Sequence, residues 1–169
     1  DARRWSFFLV LSILGSVIPF TVIAWGQKSV SSGTAGLLMG VIPLFTLLLA
    51  HFYAPGERMN LFQCVGFLLG FAGIATLMGP EAIMQLGGTS DDFLRQAAIL
   101  FGAFCYALNA IVVRRLPKTS PLISAAAVMT LGAFLVCPVV LISFSQFREV
   151  SWSSIVAVIW LGTVSTAVA

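Results

Sequence analysis

Charge is what this chain lacks most. Only 9% of its 169 residues are charged, 59% are hydrophobic, and the mean hydropathy is +1.04. A soluble domain carries about 25% charged residues. This chain cannot cover a water-facing surface, so lipid must cover most of it. The net charge is only +3 and its basic residues form no dense patch, which excludes a nucleic-acid footprint. A single histidine, His51, excludes a His-rich metal cluster. The three cysteines, Cys64, Cys105 and Cys137, all lie inside apolar runs. They read as small buried hydrophobes, not as a disulfide framework or a metal site. No Gly-x-x-x-x-Gly-Lys-Ser/Thr loop is present, so no ATP machinery is implied, and no cofactor is expected. A membrane-embedded enzyme would need convergent acids, histidines or metal ligands, and no Asp or Glu stands inside an apolar run. The first apolar run is too long for a signal-peptide core, and no small-residue cleavage site follows it.

What the chain does have is long apolar runs. Six are present: Trp5–Trp25, Thr34–Tyr53, Leu61–Met78, Phe93–Val113, Pro121–Phe144 and Ser153–Ala169. Each of the first five can cross ~30 Å of hydrocarbon as a helix rising ~1.5 Å per residue. The sixth reaches only ~25 Å and stops without a polar flank, so the chain reads as part of a longer protein. Thr34–Met78 is a helical hairpin, two apolar arms joined by the polar turn Ala54–Asn60. Helix starts are marked by Asn60 with Gln63 three residues on, by Ser120–Pro121, and by Asp91 and Asp92. The longest connection, Gly79–Asp92, is polar and rich in breakers, which makes it the boundary between two halves.

Charge asymmetry supplies an orientation. Arg3, Arg4, Arg58, Arg114, Arg115 and Lys118 fall on one side, and Lys28, Arg95 and Arg148 on the other. The positive-inside rule makes the first side cytoplasmic and the Gly79–Asp92 connection extracytoplasmic.

Two stretches resemble each other. Trp5–Val17 (WSFFLVLSILGSV) and Trp152–Val164 (WSSIVAVIWLGTV) share Trp, Ser, Leu, Gly and Val at matching positions. One reading is chance similarity between apolar helices, and the other is a duplicated unit. Duplication puts equivalent helices five crossings apart and inverts the second copy, which is the inverted-repeat plan of many transporters. The fold class expected is an all-α polytopic transmembrane bundle. It is built of inverted five-helix repeats, with six of ten helices visible. Residues 1–79 would hold the end of the first repeat, 80–92 an extracytoplasmic linker, and 93–169 the start of the second.

With these features in place, the sequence resembles the EamA branch of the drug/metabolite transporter superfamily. The resemblance rests on Ala35–Gly73, with its central Ile42-Pro43-Leu44-Phe45, the Gly56-Glu57-Arg58 turn and the spaced glycines Gly66, Gly70 and Gly73. Phe93–Pro117 resembles the start of the family's second repeat. The resemblance implies a ten-helix bacterial inner-membrane carrier that moves small metabolites, often outward. Many relatives carry an acid just before the central proline. This chain has Ile42 there, so that position offers no carboxylate for protons.

The candidate residues follow from helix chemistry. Pro43 cannot donate to the Met39 carbonyl, nor Pro19 to that of Gly15, nor Pro138 to that of Phe134. A freed carbonyl at mid-membrane lines a wet cavity or is buried in protein, so Pro19, Met39 and Pro43 are pathway candidates beside a packing-kink reading. Tyr106 and Asn109 share a face and point inward, for substrate contact or interhelical bonding. Ser16 joins them, although Ser12, Ser16, Thr21, Thr46 and Thr130 can all bond back to their own helices. Trp160 faces either a cavity or lipid. His51, Glu57 and Arg58 are gate or turn candidates, with a solvated interfacial role as the alternative. Gly36, Gly40, Gly66, Gly70 and Gly73 read as helix-packing positions. The expected partners are the bilayer and a small-molecule substrate, amino acids or related solutes. Proton coupling and a homodimer stay open.

Overall fold

The protein is described by a computed structural model over residues 2–53, 60–88, 90–115, 120–143 and 151–160. Among these residues every regular element is helical. The chain forms two compact units, 1–133 and 134–169.

In the first unit, α1 (Ala2–Ser12), a π-helical turn (Ile13–Val17) and α2 (Ile18–Gly26) run on as one rod. α3 (Ser32–Met39) and α4 (Ile42–Tyr53) make a second, and α5 (Leu61–Met78) a third. A short α6 (Pro80–Met84) leads to α7 (Ser90–Val113), and α8 (Pro121–Ser143) follows. Among the described residues five stretches are long and apolar enough to cross a membrane, and they coincide with the first five apolar segments. The second unit holds the rest of α8 and α9 (Trp152–Trp160), which buries none of its side chains. The remainder of the sixth segment lies outside the described residues.

Several helix starts follow the sequence signals. Phe62 N–H donates to Asn60 Oδ1 (3.3 Å) while Asn60 N–H donates to Gln63 Oε1 (3.0 Å), a reciprocal cap on α5. Ser31 Oγ accepts from Thr34 N–H at the head of α3. α7 opens with Asp91 and Asp92 in its first turn, where the helix dipole favours them.

The prolines distort the rods by different devices. Ile18 N–H reaches back five residues to Ile13 O instead of four, and Pro19 has no N–H to give. The carbonyls of Leu14 and Gly15 therefore lose their ordinary α-helical donors. Around Pro43 the break falls one turn earlier: Val41 N–H retreats to Leu38 O (3.3 Å), and the residues Gly40 and Val41 separate α3 from α4.

α7 is the centre of the first unit. It buries Gln96, Ile99, Gly102, Ala103, Cys105, Ala107 and Ile111, most of them three or four apart along one face. Ile99 packs with Val30, Ala35 and Leu38. Ala107 and Ile111 pack with Leu49 and Ala50, and Phe104 meets Phe45 edge-on at 5.6 Å. In lipid such contacts stabilise by close packing, since apolar surface gains little by leaving an apolar solvent. Glycines make the approach close. A Cβ at Gly102 would stand 2.8 Å from Ile23 Cγ1, and one at Gly26 would stand 2.8 Å from the Arg95 carbonyl oxygen. Both ends of α7 are tied as well. Arg95 donates to Trp25 O and lies 4.9 Å over the Trp25 ring, while Arg115 donates to Tyr53 O (3.0 Å).

Candidate functional site

Two features stand out where helices are distorted. The first is polar. At the π-turn, Ser12 (0% exposed) and Ser16 (6%) are buried on the first rod. Asn109 on α7 lies against the same turn: a Cβ on Gly15 would stand 2.8 Å from Asn109 Nδ2 and 3.2 Å from Oδ1. Gly132 on α8 covers the serines, its Cβ position 3.2 Å from Ser12 Oγ and 3.7 Å from Ser16 Oγ. Ser12 Oγ and Asn109 Oδ1 are buried without a hydrogen-bond partner. Each costs about 1–3 kcal/mol if left unmet. One turn up α7, Tyr106 meets Phe20 of α2 edge-on at 6.5 Å. Neutral oxygens, one amide and loosened backbone carbonyls converge on this turn, a setting in which π-bulges frequently serve function.

The second feature is apolar. A cleft of about 390 Å³ opens between the α3–α4 rod and α5. Gly40, Pro43 and Leu47 line one wall, and Gln63, Gly66, Phe67, Gly70, Phe71 and Ile74 the other. It exists because α5 touches α3 only through its far end. Ile74 Cδ1 lies 3.1 Å from a Cβ position on Gly40, and Met78 Sδ lies 3.4 Å from that on Gly36.

The sequence candidates therefore separate. Ser16, Pro19, Tyr106 and Asn109 gather at or next to the π-turn, while Pro43 faces the apolar cleft. Met39 packs against the Val30–Ala35–Leu38–Ile99 core. Gly36 and Gly40 meet α5. Gly66, Gly70 and Gly73 find no helix to pack against: a Cβ at any of them meets nothing within 4 Å among the described residues. The reason is that α5 leans away at its start, and Gly66 and Gly70 end up lining the cleft. Thr21 and Thr46 bond back to Val17 O and Ile42 O, as their helical positions allow. His51 is exposed at the end of α4, its ring edge-on to Phe52 at 5.1 Å. Trp160 is the last described residue of α9, in the other unit. Glu57 and Arg58 lie outside the described residues. Sequence reasoning undervalued Ser12 and missed Gly15 and Gly132. The Gly-Ser pair four residues before Pro19 was the available signal. Among the described residues no group of three or more His, Cys, Asp and Glu side chains could hold a metal.

Comparison with known proteins gives the same direction. Residues 1–79 match the EamA-like transporter family. The chain is 28% identical over 158 residues to the uncharacterized transporter YyaM of Bacillus subtilis, covering 90% of this chain and 49% of that protein. It is 27% identical over 168 residues to an uncharacterized transporter of Buchnera aphidicola, covering 95% of this chain and 52% of that one. Over 93 residues it is 30% identical to a probable terminal-alkyne amino-acid exporter of Streptantibioticus cattleyicolor, covering 55% of this chain and 31% of that protein. The chain thus spans about half, or less, of the length of these relatives. No solved structure matches.

Proposed function

We propose that this chain, whose residues 1–79 match the EamA-like transporter family, forms the middle of a secondary carrier that exports small, net-neutral metabolites across a bacterial plasma membrane by alternating access. In this reading residues 1–79 and 93–169 are parts of two inverted repeats, and the end bearing α6 is extracytoplasmic. The family match ending at residue 79 supports that boundary. One observation carries the site: Ser12 Oγ and Asn109 Oδ1 are buried and unmet beside a turn whose carbonyls have lost donors. Such groups at mid-membrane call for a polar ligand or water to complete them. All of the site's side-chain groups are uncharged, so it offers no counter-charge to a net cation or anion. A zwitterion or a neutral polar solute fits, which agrees with the amino-acid exporter among the relatives.

The aromatic edge of Phe20 and Tyr106 would hold the solute's apolar part. The inverted-repeat plan puts a substrate site between copies at the midplane. The offset of 147 residues pairs Gly15 with Gly162 and Ser16 with Thr163, so the second repeat carries a matching glycine and hydroxyl.

The test is flux of radiolabelled neutral amino acids in everted vesicles holding the full-length protein. Asn109→Ala and Ser12→Ala should each lower flux about tenfold, the scale of one hydrogen bond to a ligand. Unchanged flux in both variants removes this turn from the pathway. No flux of any amino acid removes the substrate class.

A further inference from the structure

The stretch between α5 and α7 reads in sequence as a polar linker, yet it is built into the fold. α6 presses Ala82 (3% exposed) against α3, so that a Cβ on Gly33 would stand 3.6 Å from Ala82 Cβ. The next residues are held by two buried side chains from different helices. Thr34 of α3 (0% exposed) shares its hydroxyl proton between Gln85 Oε1 (2.9 Å) and Ala82 O (3.3 Å). Gln96 of α7 (6% exposed) uses both ends of its amide. Nε2 donates to Gln85 O (2.7 Å), and Oε1 accepts from Gly87 N–H (3.0 Å). Gly87 (φ +95°) and Gly88 (φ +53°) turn the chain back in conformations that side chains disfavour.

We propose that residues 80–88 are a strap that fastens α3 to α7 at this end of the bundle and lets go of α3 when this end opens. The proposal rests on the alternating-access reading. The two anchors are unequal. Gln96 holds two backbone groups in a paired geometry, whereas one hydroxyl proton serves both acceptors on the α3 side. The α3 anchor is therefore the one that releases. Beside it a pocket of about 200 Å³ lies among Ser29, Val30, Gln85, Gly88, Asp92 and Gln96. It is roomy and polar enough for water to take over the hydrogen bonds that release would break.

The experiment uses the full-length protein with Cys64, Cys105 and Cys137 replaced by alanine and Ser16→Cys as reporter. Membrane-impermeant maleimide is added on the α6 side, and its attachment at position 16 is read by mass spectrometry. Thr34→Val should raise labelling severalfold. The pair Gly33→Cys/Ala82→Cys has a Cβ separation of 3.6 Å, inside the ~3.5–4.5 Å range of a disulfide. Its oxidation should cut labelling at least tenfold, and reduction should restore it. Unchanged labelling on Thr34→Val, or on a disulfide shown to have formed, overturns the strap. If the cysteine pair does not fold, the Thr34→Val arm decides alone. Labelling needs no substrate, so its outcome is separate from that of the flux assay.

Discussion

α5 and α7 are both long enough to span a membrane and similarly apolar, and both carry glycines, yet they have opposite places in the first unit. α7 buries seven residues and α5 buries none. Hydropathy cannot tell them apart, because in lipid the outside of a bundle is as apolar as its inside. What differs is the pattern of polar and small side chains. α7 carries Gln96, Tyr106 and Asn109 between small residues: Gln96 holds the backbone of Gln85 and Gly87, while Tyr106 and Asn109 meet the first rod. α5 keeps its cap at Asn60 and Gln63, its one hydroxyl, Thr76, bonds back to Gly73 O (2.8 Å), and none of its side chains is buried. A glycine in a membrane helix thus permits close approach without ensuring that it occurs.

The largest effect that would sharpen this contrast is expected at Gly26, against α7. A Cβ there would stand 2.6 Å from Ile99 Cγ1 and 2.8 Å from the backbone oxygen of Arg95. Ile99 can rotate, but the helix backbone of α7 cannot. Gly26→Ala should destabilise by about 1–3 kcal/mol and lower the unfolding midpoint in detergent. Gly102→Ala should cost less, because its neighbours are the movable ends of Ile23 and Val22. An unchanged midpoint for Gly26→Ala would show that α2 and α7 can move apart to admit a methyl group.

The next effect has two signs. Leucine branches as asparagine does, so Asn109→Leu removes the unmet amide without emptying its space. The variant should gain about 1 kcal/mol of stability and lose flux. A lower midpoint would mean that the amide has a structural partner, and α7 would then be scaffold at that turn.

How much of this was legible in the sequence depends on range. The α5 cap rests on residues three apart, and the spans rest on runs of one composition, so both could be read directly. Pro19 and Pro43 announced that their helices would be disturbed, because a missing N–H is a local fact. The response was not legible. One rod inserts an extra residue into its turn, the other breaks at Gly40, and the choice depends on what packs alongside. Ser12 looked like any serine able to bond its own helix, and the approach of Gly132 from α8 is not visible in either residue's neighbours along the chain. The strap was the least readable feature. Thr34 and Gln85 are 51 residues apart, and a stretch with Gly-Pro and Gly-Gly looks like a loose connection until its partners are known.

The smallest predicted effect returns to α5. Gly66→Ala and Gly70→Ala add a methyl group where nothing lies within 4 Å among the described residues. Alanine also favours the helix over glycine by roughly 0.5–1 kcal/mol. Each variant should therefore leave the unfolding midpoint unchanged or raise it slightly, and narrow the cleft beside Pro43. The measurement should be made on the full-length protein, for which this chain is about half the length of the relatives it matches. A fall in the midpoint would show that the glycine face of α5 is filled by another helix, from the rest of the protein or from a second copy. α5 and α7 would then differ in which partner they pack against, and the apolar cleft would be a seam between helices instead of a route for solute.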